Sequence, residues 1–257
     1  MTTLLTEKEN KILRNDHHQY HHEDYPGELW PGVTTVLGVI SKPALIPWAR
    51  NVALAQVAEE FLTVNPFQGL RTDSSTEAET DRLWRQFVHE CIDIARRRPD
   101  QVRDAAADFG TRSHEMIASH LADEDAPIPD DLQPVWESFA TWYGTSGLTI
   151  QMAETAVYSE EHKYGGTVDA VAERDGKLVV MDWKTSSGIY PEMALQVGAY
   201  TLALEEMTGS VVSEAWVVRF GKKKPEFEAL PLRNLQNAKA GFIHALSLYR
   251  TLKEDLI

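Results

Sequence analysis

Two periods of hydrophobicity divide the chain. Over residues 48–62, 80–98, 108–121 and 130–143 apolar positions recur at helical spacing, and in the second of these Leu83, Phe87, Cys91 and Ile94 share one stripe. Beyond residue 150 the period shortens to two: 151–158, 166–173 and 177–184 alternate as strands. A helix over 191–207, a strand over 211–219 and a helix over 233–252 follow. Upstream, residues 17–25 read as a strand, PGELWPG supplies turns, 33–39 is a short β-branched run and 72–79 a polar loop. No internal repeat interrupts the pattern. The expected architecture is α/β, with 1–105 as an N-terminal strand-and-helix elaboration and 106–257 as the main body of one compact unit.

The sharpest local signal is DAVAERDGKLVVMDWK, in which Asp175-Gly176 separates two alternating runs. A two-residue loop there fixes the register: Arg174 pairs with Lys177, Val171 with Val180, and Asp169 falls opposite Asp182. Like charges on facing residues destabilise a sheet, since their Cβ atoms lie only about 5 Å apart. Alternation also sends Asp182 and Lys184 to one face, with Met181 and Trp183 on the other. Two carboxylates and an ammonium thus converge, an arrangement that a hard divalent cation would relieve.

Composition narrows the chemistry. The chain has 257 residues and a net charge of -14, against coating nucleic acid non-specifically, so contacts with phosphate have to be local. The runs Arg96-Arg97-Arg98 and Lys222-Lys223-Lys224 are either phosphate contacts or solvated helix ends and turns. A single cysteine, Cys91, rules out a disulfide framework, a zinc knuckle and a four-cysteine iron-sulfur cluster. The N-terminus lacks an apolar run of signal-peptide length, and no stretch has the length of a membrane span, so a cytoplasmic protein in a prokaryotic or phage-infected cell is expected.

These motifs resemble a known family. Gly165-Gly166-Thr167-Val168-Asp169, Asp182-Trp183-Lys184-Thr185 and Gln196-x-x-x-Tyr200 are similar to the motif series of the RecB-like branch of the PD-(D/E)xK nucleases. Gly110-x-x-x-His114 resembles that branch's histidine motif, and Pro31 to Leu37 with Lys42-Pro43 and Trp48 resembles the N-terminal region of mitochondrial genome maintenance exonucleases and related phage exonucleases. The resemblance implies a restriction-endonuclease-like mixed sheet flanked by helices, Mg²⁺ or Mn²⁺ as cofactor, and phosphodiester hydrolysis. Carried over residue by residue, it makes His114, Asp169 and Asp182 metal ligands and Lys184 the charge that positions water or stabilises the transition state. Gln196, Tyr200 and Thr185 become candidates for substrate binding, and DNA, single-stranded or with single-stranded ends, the expected partner.

Other residues stay open between function and structure. Glu154 precedes the Asp169 strand where the family often carries an acid, and reads equally as a solvated edge position. Glu115, next to His114, is expected to point elsewhere on its helix. His17, His18, His21 and His22 would be scattered over both faces of a strand and are not expected to form a metal site. The favoured activity is a metal-dependent DNA exonuclease. A CRISPR-associated or recombination-type endonuclease, and a non-catalytic nucleic-acid-binding subunit on the same fold, are the alternatives.

Overall fold

The computed structural model describes residues 11–15, 19–63, 77–122 and 127–254; His17 and His18 lie outside them. Strands β1 (Ile12–Arg14), β2 (Gln19–His22) and β3 (Trp30–Pro31) form a small antiparallel sheet. Helices α1 (Val33–Leu37), α2 (Leu45–Thr63) and α3 (Glu77–Leu121) follow, then a 3₁₀ turn and α4 (Gln133–Ser146). Strands β4 (Thr149–Ser159), β5 (Tyr164–Arg174) and β6 (Lys177–Lys184), helix α5 (Pro191–Thr208), strands β7 (Val212–Phe220) and β8 (Phe227–Pro231), and α6 (Leu235–Glu254) complete the chain. The five later strands make one mixed sheet in the order β4-β5-β6-β7-β8, parallel only between β6 and β7, where α5 makes the crossover. Among the described residues, no helix is long and apolar enough to cross a membrane.

The hairpin register follows the sequence reading. Asp175 and Gly176 both have positive φ, 53° and 73°, as a tight two-residue turn requires, and Arg174 pairs with Lys177 and Val171 with Val180. The paired ladder ends at Ala170 and Met181, one step before the two aspartates. Three other elements depart from the pattern reading. The run 33–39, noted for its β-branched residues, contains α1: Gly32 caps it in extended conformation and Val33, Val36 and Leu37, at helical spacing, bury one face in the main core. The helices expected over 80–98 and from 108 are one continuous helix, α3, which carries through Pro99 despite its missing N–H. Strand β8, short and half exposed, gave no periodic signal; its pairing with β7 comes entirely from tertiary context.

Two compact units divide the chain, the residues up to Ile40 together with those from Gly110 onward, and Ser41–Phe109. The small N-terminal sheet therefore belongs with the body of the protein, on the other side of the boundary expected at residue 105. Within the second unit Phe61, Trp84 and Phe87 form a ring cluster, with Phe61 and Phe87 centroids 5.5 Å apart, and Cys91 is buried.

In the first unit, α1, α5 and α6 cover the sheet through a core of Val157, Val171, Val180, Val197, Leu204 and Phe242. A second aromatic cluster joins Phe139 and Trp142 of α4 to Trp183 and Phe220, so β6 is buried through most of its length. Close approach explains several glycines. A Cβ on Gly165 would lie 2.6 Å from the Tyr20 ring, and one on Gly166 would lie 2.5 Å from the Tyr200 ring, so adjacent residues of β5 admit an aromatic ring from the N-terminal sheet and another from α5.

Gly198 of α5 approaches α6 as closely, with the position of an added Cβ 2.7 Å from the Ala238 carbonyl carbon. Helix propensity alone favours Ala over Gly by about 1 kcal/mol. Gly198→Ala should nonetheless destabilise the protein, by roughly 1–3 kcal/mol, because the obstructing atoms are backbone and cannot rotate away. Gly144→Ala in α4, where an added Cβ meets nothing within 4 Å, should be neutral or stabilising. Thermal melts of the two variants should shift in opposite directions; equal shifts would mean that α5 and α6 are not in this close contact.

Candidate active site

The first-unit part of α3 brings His114 to the sheet where the β5–β6 ladder stops. Its Nδ1 lies 3.3 Å from Asp169 Oδ1 and 3.6 Å from Glu154 Oε1, and one ligand atom from each of these three residues lies within 4.8 Å of the others. Asp169, 6% exposed, accepts a 2.6 Å hydrogen bond from the Trp183 N–H through Oδ2. Its carboxylate thus takes a backbone donor of β6 just beyond the last paired residues. Asp182, 1% exposed, holds the Lys184 ammonium at 2.5 Å, yet neither of its oxygens has a well-directed hydrogen bond.

Glu154 reaches this group through an irregular strand. Its φ is 46°, a left-handed conformation that costs a non-glycine residue roughly 1–3 kcal/mol. On either side of it Met152 and Val157 pack into the same core cluster, as do Val168 and Val171 across the ladder. Strict alternation would put the members of each pair on opposite faces, so the pleat changes phase where Glu154 stands beside Asp169.

The electrostatics follow from burial. For His114, burial opposes the charged form, but Asp169 beside it and the contacts to Asp169 and Glu154 prevail and raise its pKa to about 10. Burial likewise opposes ionisation of Asp169, and His114, Lys184 and the Trp183 N–H overcome it, holding that carboxyl below its ordinary value. Asp182 goes the other way. Burial lifts it to about 6, with Asp169 adding to the effect and Lys184 opposing it. Tyr200 is pushed well above the usual phenol range by burial and by both aspartates, so its hydroxyl stays protonated. Three carboxylates face two cations, leaving the cluster one negative charge in excess when all are ionised.

Of the remaining candidates, Gln196 donates to the Tyr200 hydroxyl at 2.8 Å, so this pair bonds to itself, and no bond from either to Lys184 is seen. Thr185 is buried. The cleft over the site, about 650 Å³, is lined by His114, Glu154, Asp169 and Tyr200, by Thr34 and Thr167 from the motifs quoted above, and by residues that the sequence reading did not single out: Arg14, Tyr20, Thr111 and Ser119. Glu115 lines it too, contrary to the expectation that it points elsewhere. One turn of α3 spans enough arc for both neighbours to border a cleft this wide. The signal for Thr111, His114, Glu115 and Ala118 was their spacing on one face of α3.

A second group, His22, Asp24 and Glu160, also places ligand atoms within 4.8 Å. There His22 Nδ1 accepts the Asp24 N–H at 3.1 Å. A neutral His22 therefore carries its proton on Nε2, the atom that would have to offer a lone pair to an ion.

Residues 67–254 match the family of the PD-(D/E)XK nuclease superfamily. The chain belongs to this superfamily. A stretch of 57 residues is 47% identical to Mitochondrial genome maintenance exonuclease 1 of Mus musculus, covering 20% of this chain and 17% of that protein. An alkaline exonuclease from Laribacter hongkongensis superposes with a TM-score of 0.30 at 14% identity, over 56% of this chain and 82% of that one, a likeness too slight to argue from. PD-(D/E)XK nucleases use divalent metals, and the residues here fit one. An octahedral ion with oxygen ligands at about 2.1 Å sets neighbouring ligands about 3 Å apart, close to the His114 separations. The buried Asp182 oxygens without hydrogen bonds are a further pair of hard donors.

A cation held here should stabilise the fold. At about ten times its dissociation constant, Mg²⁺ or Mn²⁺ adds roughly 1.4 kcal/mol. For a domain of this size the melting temperature should rise by roughly 3–6 °C. Glu154→Gln and His114→Ala should each shrink that rise at the same metal concentration, while Glu137→Gln, on α4, should keep it. A full rise in both site variants would place the ion elsewhere.

Proposed function

We propose that the chain is a Mg²⁺- or Mn²⁺-dependent deoxyribonuclease that degrades DNA from single-stranded ends. The observation that carries the catalytic reading is the buried Asp182, paired to Lys184 and otherwise without a hydrogen bond among the described residues, behind Asp169, which lines an open cleft with His114 and Glu154. A sheet that needed only stability would not bury two aspartates there. The exonuclease mode is supported by the short stretch shared with the mitochondrial exonuclease, through that protein's name, and the single-stranded ends rest on the family resemblance of the motifs alone.

Glu154, Asp169, Asp182 and, once the cation displaces its proton, His114 would hold the metal, which when bound supplies Lewis acidity at the phosphate and makes water a stronger acid. Lys184 carries its ammonium beside the two aspartates on a strand that packing on both faces keeps rigid, and Asp182 fixes its direction. That fixed charge favours the negative charge that grows on phosphate oxygens during hydrolysis, and it needs no reorganisation at that moment. Tyr200, un-ionised and steadied by Gln196, offers a hydroxyl at the cleft wall, and Arg14 adds a cation at the cleft's N-terminal side.

Asp182→Ala and Lys184→Ala should each lower cleavage of single-stranded DNA by at least about 100-fold. Turnover within tenfold of wild type from folded protein would remove the proposed site. Linear and circular single strands, each with Mg²⁺ and with EDTA, separate the modes: a surviving circle beside a degraded linear strand means an exonuclease, and a cut circle an endonuclease.

A further inference from the structure

Beyond the catalytic cleft, α3 and β4 continue alongside one another and enclose a second pocket of about 460 Å³, within the ~300–1,000 Å³ range of small-molecule sites. Its walls include Ala118, Ser119, Ala122, Tyr143, Gln151 and Met152, and none of its lining residues carries a formal charge. Ala118 and Ser119 line the catalytic cleft as well, so the two cavities adjoin. From His114 to Ala122 is about two helical turns, roughly 12 Å along α3.

We propose that this pocket holds an unpaired nucleobase of the substrate strand, next to the bond being cut. The inference rests on the nuclease reading above and specifies its substrate as a strand that is single where it passes Tyr143. Three features select a base over a phosphate. The pocket lies at the C-terminal end of α3, the negative end of the helix dipole, which disfavours an anion. Its polar side chains are neutral: the Ser119 hydroxyl and the Gln151 amide can bond to a base edge. Its aromatic wall is held in place, since the Tyr143 hydroxyl accepts the Ile150 N–H at 3.3 Å and its ring stacks on Phe139 with centroids 5.6 Å apart. The β4–β5 register shifts between Ile150 and Met152, and that bulge sets Gln151 off from the regular pleat at the pocket's edge.

The test is binding of a short labelled oligothymidylate in EDTA, compared with the same strand lacking one base at each position in turn. Wild type should show one position at which loss of the base weakens binding about tenfold, the scale of one base stacked on an aromatic ring. In Tyr143→Leu, and in Ala122→Trp, which fills the pocket from the exposed end of α3, the intact strand should weaken by a similar factor and the penalty at that position should vanish. Wild type that binds no strand, or binds every abasic strand as well as the intact one, overturns the pocket. So does a penalty that persists in both variants. Cleavage with Mg²⁺ is measured in parallel. A base-specific position without cleavage sinks the catalytic reading alone, and cleavage without such a position sinks the pocket alone.

Discussion

Asp169 and Asp182 are buried beside each other at the point where the β5–β6 ladder gives out, and most of what surrounds them compensates that burial. A carboxylate taken out of water needs donors or an opposite charge. Asp169 has both, in the Trp183 N–H and His114, whereas Asp182, among the described residues, is paired with the Lys184 ammonium and accepts no well-directed hydrogen bond. The contrast divides the pair: one aspartate is held ionised below its ordinary pKa, the other is lifted to about 6. An asymmetric pair of this kind, with more carboxylates than cations around it, has the charge balance that a cation would relieve.

The regular parts of the fold carry this site, and the irregular parts aim it. The central position of β6, with neighbours on both edges and packing on both faces, makes Asp182 and Lys184 rigid. Edge strand β4 is where the pleat changes phase, at a glutamate in a left-handed conformation, and where the register slips at Gln151. Irregularity on an edge costs no ladder bonds on the outer side, which leaves β4 free to follow the cleft wall.

Much of this was legible in the sequence because it is local. The Asp175-Gly176 turn dictates its own register, and from that alone the convergence of Asp169, Asp182 and Lys184 follows. The strand-helix-strand order after residue 150 could be read because each element carries its own period. What escaped depends on distant partners. The β-branched run at 33–37 left its state open because five residues with two valines suit either, and burial against α5, α6 and the sheet decides for helix. Nothing near Glu154 announces its backbone conformation, so its place beside His114 could not be derived from alternation. Arg14 and Tyr20 come from the N-terminal sheet and Thr34 from α1, joined to β5 by the bridge from Gly32 to Gly165, a contact between segments far apart along the chain.

That the two aspartates share one hairpin also bears on the order of assembly. Contacts within a hairpin close a short loop and can form early, while those to His114 close a much longer one and carry a larger entropic cost. Closing the repulsive pair therefore costs less chain entropy than bringing in its imidazole partner from α3. Lys184 travels on the same strand as Asp182, so the hairpin carries one counter-charge of its own from the outset. Position 184 accordingly serves the folding chain as well as the finished site, and the two demands fall on a single side chain.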